Sequence, residues 1–465
     1  MTVEASRTTV FEREPADPAV VREALAGSRL TPFWLDGLER PDHAPLAGVV
    51  EADLVVVGGG YTGLWTAVLE KEQRPDSRVV LLEAERIGWA ASGRNGGFCE
   101  ASLTHGRENG ESRWPDEIER LEELGLENLD QIAATVDRYG MDVDFERTGA
   151  LTVAVEPHQI DWLGEAAYDA DGTRALVDSP TYLAGELDRE GCALVHPGKL
   201  AVELARVAVE LGVVIHERSA VTELCDGGVK TGRGEVRAAR TVLATNVFPS
   251  LLKRNALMTV PVYDYSLMTE PLSAEQRASL GWEGRQGVAD MANQFHYYRL
   301  TADDRLLFGG YDAVYHPGRK VKEAYQDRPE SYERLMGHLL TTFPQLEGVR
   351  ISHRWAGAID TCTRYCAYFG TARKGTVAYA AGFTGLGVGA SRFAARVMLD
   401  LLSGHETELT RLEMVRERPL PFPPEPLAMV GIGMTQWSLN QADHREGRRN
   451  ALLRTLDRLG LGFDS

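Results

Sequence analysis

Residues 53–63 read DLVVVGGGYTG, an apolar run closed by Gly58, Gly60 and Gly63 in the spacing G-x-G-x-x-G. This is the strongest local constraint on the fold, because each glycine answers a physical need. One makes a tight turn, one lets backbone approach a pyrophosphate, and one lets a helix pack closely on a strand. The spacing carries meaning only between a strand and a helix. Here residues 53–57 read as a strand and Tyr61–Gln73 as a helix; Pro75, Asp76 and Ser77 form a turn, and residues 78–83 a second strand. The result is a β-α-β unit of roughly 30 residues with parallel strands. Tyr61 and Thr62 open the helix, where unpaired N–H groups and the helix dipole favour a phosphate. Glu83 follows Gly63 by twenty residues, beside Ala84, at the end of the second strand. A carboxylate there accepts hydrogen bonds from the hydroxyls of an adenosine ribose and repels a 2′-phosphate, which disfavours NADP.

The remaining chain is long enough for a second domain: 465 residues exceed what one hydrophobic core usually supports. Residues 113–139 read as one amphipathic helix broken near Gly125, and residues 148–155 as a strand. Residues 200–212 form another amphipathic helix. Strands follow over 213–217, 221–224 and 240–245, a return to the first sheet. Residues 256–350 turn β-like and aromatic, with Asp303 and Asp304 marking a hairpin. A last apolar strand, Val377–Ala381, leads through GFTGLGVG into a helix over 391–402, and the tail is helical in pattern. Residues 1–45 are polar and proline-dotted, with Phe33 and Trp34 as tethers onto a core built by later segments.

Composition removes several function classes. A formal net charge of −18 opposes general binding to nucleic-acid backbones. Five scattered cysteines (Cys99, Cys192, Cys225, Cys362 and Cys366) make no disulfide framework or zinc site. They favour small core roles and a reducing compartment. No apolar run approaches the ~20 residues of a membrane span, and the N-terminus carries no secretory pattern, so the expectation is a cytoplasmic protein without a membrane or metal site.

The fingerprint alone does not separate FAD from NAD. The next segment, AERIGWAASGRNGGF, adds a donor-rich loop at Ser92, Gly93, Arg94, Asn95, Gly96 and Gly97, suited to covering a pyrophosphate and approaching a flavin ring. With this loop, VHPGKLAVELARVAVELGVVIHE, RTVLATN and VAYAAGFTGLGVGASRFAARVMLDLL, the chain resembles the D-amino acid oxidase-like (DAO) family of FAD-dependent oxidoreductases, which includes glycine and sarcosine oxidases. The likeness covers roughly residues 50–405, and SGRNGG is similar to the γ-glutamylputrescine oxidase branch.

The resemblance implies an α/β fold: a Rossmann-like FAD-binding domain of glutathione-reductase type with a second, mixed-sheet α+β substrate domain. The division it suggests is an N-terminal extension over 1–49 and a discontinuous FAD domain over 50–112, 140–155, 195–255 and 350–404. Residues 113–139, 156–194 and 256–349 form the substrate domain, and 405–465 a largely helical C-terminal extension. It further implies that Val221, Thr245 and Asn246 lie against the flavin nucleotide. Gly382, Thr384, Gly385, Leu386 and Gly387 then approach the flavin ring. Glycine N–H groups at a helix start stabilise negative charge there. The chain departs from the family over residues 363–370, where an Asp and a Pro are common. His105 and Cys362 match no covalent-linkage motif, so non-covalent FAD is expected.

Flavin enzymes of this kind oxidise the carbon next to an amine nitrogen, with the cofactor carrying the difficult step. Aromatic walls that disfavour the ammonium would assist, which makes Tyr263, Tyr265, His296, Tyr297 and Trp355 candidates. Arg299 or Arg354 is suited to grip a substrate carboxylate. The expected reaction is oxidation of an amine or amino acid to an imine, with oxygen as acceptor and peroxide as product. A dehydrogenase using another acceptor, an inert flavoprotein subunit and an NAD enzyme are the alternatives. Trp437 marks a possible oligomer contact.

Overall fold

A computed structural model describes residues 8–461. The fingerprint strand, Gly48–Val57, lies at the centre of a parallel arrangement, with Val79–Leu82 on one side and Gly234–Leu243 on the other. Val214–His216 adds beyond Val79–Leu82, and Val377–Ala381 pairs with the end of Gly234–Leu243. Antiparallel strands Val221–Cys225, Gly228–Thr231 and Tyr368–Ala372 complete eight. Strands such as Leu54–Val57 are apolar at every position because helices or chain cover each face.

The helices Tyr61–Gln73, Pro197–Glu210 and Gly387–Ser403 pack together in one core, which includes the fully buried Trp65, Leu204 and Val397. Ile118–Arg138 packs against Gly387–Ser403 and so belongs with this core. Its apolar stripe gave no hint of which sheet it would cover, since an amphipathic face is blind to its partner's identity. No break occurs near Gly125. A Cβ at that position would lie 2.0 Å from Ala101 O, so the glycine permits close approach of an unbroken helix.

The second sheet has ten strands. Its path runs Arg29–Leu30, Ile351–Cys362, Thr259–Thr269, Leu306–Gly310, His296–Leu300, Gly287–Asp290, Ala150–Ala154, Ala184–Asp188 and Tyr168–Asp169, with Val314–Tyr315 beside Thr259–Thr269. Ala150–Ala154 and Ile351–Cys362, grouped by sequence with the nucleotide segments, thus pair here. A strand's alternation fixes its faces and leaves its sheet open. The expected hairpin forms at Asp303 and Asp304, with Leu300 opposite Leu306 and Asp304 at φ +57°. Helices Pro18–Leu25 and Pro329–Thr342 cover one face through Val21, Leu335, Met336 and Leu339. Among the described residues no helix is long and apolar enough to cross a membrane.

The N-terminal segment is tethered as Phe33 and Trp34 suggested. Trp34 is 1% exposed, its ring is edge-on to Trp355, and Nε1 donates to Asn95 O at 2.8 Å. Trp34→Ala is expected to lower stability by about 3–5 kcal/mol, read as a shift in the urea midpoint at unchanged slope.

Candidate active site

A cavity of about 1340 Å³ runs between the two sheets, above the roughly 300–1000 Å³ usual for one small ligand. At one end lies the fingerprint. Gly58 sits at φ +116°, and a Cβ there would meet Ala244 O at 2.3 Å. A Cβ on Gly63 would lie 1.9 Å from Gly58 O, so both positions admit only glycine. Behind them, Glu83 is buried. Its Oε2 accepts from Gly59 N at 2.6 Å, and Oε1 accepts from Glu85 N at 2.8 Å and Trp89 Nε1 at 2.9 Å. Burial pushes the carboxyl pKa up, and these donors oppose it. The Ala84 backbone N–H adds a fourth donor, so the carboxyl is fully surrounded.

The loop over 84–97 folds across the helix start. Ser92 Oγ accepts from Tyr61 N at 3.0 Å, and Asn95 Oδ1 accepts from Gly97 N at 2.9 Å. The loop is held from behind by groups that sequence had suggested for substrate. Trp355 Nε1 donates to Arg94 O at 2.8 Å, and Arg299 Nη1 donates to Val195 O at 2.7 Å and Gly97 O at 3.3 Å. Burial pulls the Arg299 pKa down to about 10. Gly63, Gly93, Gly97 and Gly382 lie just behind the cavity wall. Gly58, Gly60, Tyr61, Thr62, Glu83, Ala84, Ser92, Arg94, Asn95 and Gly96 line it, as do Val221, Thr245, Asn246, Thr384, Gly385, Leu386 and Gly387.

A second helix N-terminus, that of Gly387–Ser403, opens onto the same cavity. The turn before it is set by Asp360, whose Oδ2 accepts from Gly382 N at 2.6 Å and Phe383 N at 3.2 Å. Asn246 bonds to the same carboxyl, and burial raises the Asp360 pKa to about 6 against these donors. Asp360 was not singled out by sequence. An acid near the end of a strand, in the otherwise uncharged run WAGAIDTC, was the available signal.

The far end is built on the second sheet by Val260, Val262, Asp264, Tyr297, Tyr311 and Ile359. Strand alternation decides which side chains arrive. On Thr259–Thr269, positions 260, 262 and 264 face the cavity, so Tyr263 and Tyr265 face the opposite core. Their hydroxyls donate to Lys322 O at 3.1 Å and Tyr325 O at 2.8 Å. His296 likewise lies outside the cavity wall, between Asp290 Oδ2 at 2.7 Å and His338 Nδ1 at 2.8 Å, whereas its neighbour Tyr297 lines the wall. Tyr297 OH donates to Asp264 Oδ2. Burial pushes the Asp264 pKa up to about 7, against the Tyr297 hydroxyl and backbone donors.

A carboxyl whose folded pKa exceeds its unfolded value binds its proton more tightly when folded, so stability falls as pH rises between those two values. For Asp264 that window runs from about 4 to 7. At fixed saturating FAD, the Tm advantage of Asp264→Asn over the native protein is expected to grow from pH 5 to pH 8. A constant difference in thermal melts across that range would show that Asp264 is not buried as a strained acid.

The cavity fits a dinucleotide: a glycine cradle that a Cβ would fill, an acid on the wall at the end of the second strand, and two helix N-termini on one space. The model of the FAD dependent oxidoreductase (DAO) family matches residues 53–401. The γ-glutamylputrescine oxidoreductase of Escherichia coli K12 is 33% identical over 396 residues, covering 80% of this chain and 88% of its own. The probable oxidoreductase OrdL of Haemophilus influenzae is 29% identical, covering 79% and 87%. Among solved structures, glycine oxidase from Geobacillus kaustophilus superposes with a TM-score of 0.64 at 19% identity, over 79% of this chain and 99% of that one. With three-quarters of its length inside the family's span and the dinucleotide cradle in place, the chain belongs to the DAO family of FAD-dependent oxidoreductases, and FAD is its cofactor.

Proposed function

We propose that this enzyme is an oxidase of amines, in which FAD is held without a covalent bond and reoxidised by oxygen. The observation that carries the reading is the acid pair Asp264–Tyr297 on the wall of the same cavity as two helix N-termini. The E. coli relative, by its name an oxidoreductase of γ-glutamylputrescine, supports an amine donor.

In this reading Gly58, Gly60, Tyr61 and Thr62, at the start of Tyr61–Gln73, would hold the pyrophosphate and Glu83 the ribose, and Thr384–Gly387 with the loop at Arg94–Gly96 would hold the flavin ring. Bound FAD supplies the acceptor for the hydride that leaves the carbon next to nitrogen. The protein's part is to receive the ammonium, take its proton and keep water away. Asp264 Oδ2 is oriented by the Tyr297 hydroxyl, and a carboxyl near pKa 7 is a stronger base than an ordinary aspartate. The N-terminus of Gly387–Ser403 presents partial positive charge to the cavity and would steady negative charge on the bound cofactor. The substrate leaves as an imine, and oxygen takes the two electrons and two protons to give hydrogen peroxide. Covalent attachment is disfavoured at Cys362, which is outside the cavity wall and whose thiol donates to Cys366 O at 3.2 Å.

Purified protein is expected to be yellow and to release intact FAD on acid precipitation. It is expected to bleach anaerobically with an amine and to recover in air with one peroxide per turnover. Bleaching without peroxide, and recovery only with an added electron acceptor, would make the enzyme a dehydrogenase. A second outcome follows from Asp264. Its carboxyl must be ionised to take a proton, so kcat/KM is expected to rise through a pKa near 7. In Asp264→Asn that limb should vanish, with a loss of about 10²–10⁴-fold. A pH profile unchanged in the variant would remove Asp264 from the reaction.

A further inference from the structure

Among the described residues, one enclosed acid of the cavity wall has no hydrogen-bond or ion-pair partner. Glu83, Asp264 and Asp360 accept the hydrogen bonds described above, and Glu85 is exposed to solvent. Glu100 differs. It lines the cavity, and no donor or cation bonds its carboxyl. Burial raises its pKa and nearby Asp188 adds to the rise, with nothing to offset them. The arginines that sequence offered for a carboxylate do not reach it: Arg299 donates to Val195 O, and Arg354 Nη1 donates to Ser28 O at 2.6 Å and Ser28 Oγ at 2.7 Å. His105 shares the wall, and burial pulls its pKa down to about 4, so it is neutral near pH 7. An enclosed acid with no donor is costly, and costs of this kind concentrate at functional sites.

Packing sets its place. Glu100 ends the short strand Phe98–Glu100, which pairs antiparallel with Cys192–Leu194. A Cβ on Gly389 would lie 2.1 Å from Glu100 O, so this strand end rests against the first turn of Gly387–Ser403. Phe98 and Glu100 share one face of the strand, roughly 7 Å apart, and both line the cavity. The Phe98 ring stands edge-on to Tyr297 with centroids 5.9 Å apart, and Tyr297 OH donates to Asp264 Oδ2. Asp264 and Glu100 thus face one space from either side of an aromatic pair. Leu151 and Val388 line that space too, and helices Leu427–Asp443 and Ala451–Arg458, beyond the family match, add Leu439 and Leu456.

Resting on the oxidase reading above, we infer that Glu100 receives a second ammonium of the substrate. The donors of this enzyme are then diamines with an apolar spacer, oxidised at the amine beside Asp264. An ammonium supplies both things the Glu100 carboxyl lacks, hydrogen-bond donors and positive charge. The methylene chain between the two nitrogens gains by leaving water against Phe98 and Tyr297. A monoamine of the same length brings no donor to Glu100 and sets its alkyl end beside an acid.

The test uses the FAD-loaded enzyme and three donors of matched length: hexane-1,6-diamine, hexylamine and 6-aminohexan-1-ol. Anaerobic flavin bleaching is followed by rapid mixing. The diamine is expected to exceed each of the others by about tenfold or more in reduction rate over dissociation constant. The alcohol offers a hydrogen bond without charge, so it separates the two contributions at Glu100. Glu100→Gln keeps the shape and removes the charge. Replete with flavin, it should lose the preference, the ratio of diamine to hexylamine falling by about tenfold. Wild-type bleaching as fast with hexylamine or with the alcohol overturns the inference while leaving amine oxidation standing, and it requires no variant to fold. A flavin-replete Glu100→Gln enzyme with an unchanged ratio also overturns it. Failure of all three donors to bleach the flavin overturns the oxidase reading and this inference with it.

Discussion

One carboxylate joins the parts of this molecule that must act together. Asp360 stands near the end of the longest strand of the second sheet, yet its acceptors serve the first. It takes the N–H groups of Gly382 and Phe383, which start the turn into Gly387–Ser403, and it binds the amide of Asn246. A helix N-terminus can steady negative charge only if aimed and held there. Asp360 holds it by tying the turn to a strand that also lines the far end of the cavity. The cost is a buried acid, with its pKa raised to about 6, offset by the donors that surround it.

The loop at 84–97 shows the same logic with different groups. Its cavity face mixes small residues with Glu85, Trp89, Arg94 and Asn95, and its geometry is set from behind by two tryptophan N–H groups and one guanidinium. Large buried side chains with a single polar handle suit this task, because packing fixes the ring and the handle fixes one carbonyl. Trp355 and Arg299 are aromatic and cationic for support of the loop, and residue type alone had drawn attention to them as substrate groups, whereas Trp34 is the tether its sequence suggested.

How much was legible in the sequence follows from the kind of signal. The β-α-β unit, the Asp303–Asp304 hairpin and Val377–Ala381 rest on local pattern and stand in the structure where they were expected. Glu83 lies where a spacing rule put it. Sheet membership of 150–154 and 351–362 was not legible, because pairing partners are distant in sequence. The aromatic strands show a finer limit. Tyr263 and Tyr265 share one parity and Asp264 the other, and nothing local says which face meets the cavity. One residue of offset exchanged a tyrosine wall for an acid.

The outermost strand of the second sheet, Arg29–Leu30, pairs in parallel with His353 and Arg354, more than three hundred residues later. Trp34 reaches the loop that covers the fingerprint from this same segment. A ribosome delivers residue 30 long before residue 353, so Arg29–Leu30 has no strand to join until most of the chain that follows it is made. Its docking is a closing event, made after both sheets exist. This early segment is thereby among the last to become native, and the sheet edge it covers stays open for pairing until then.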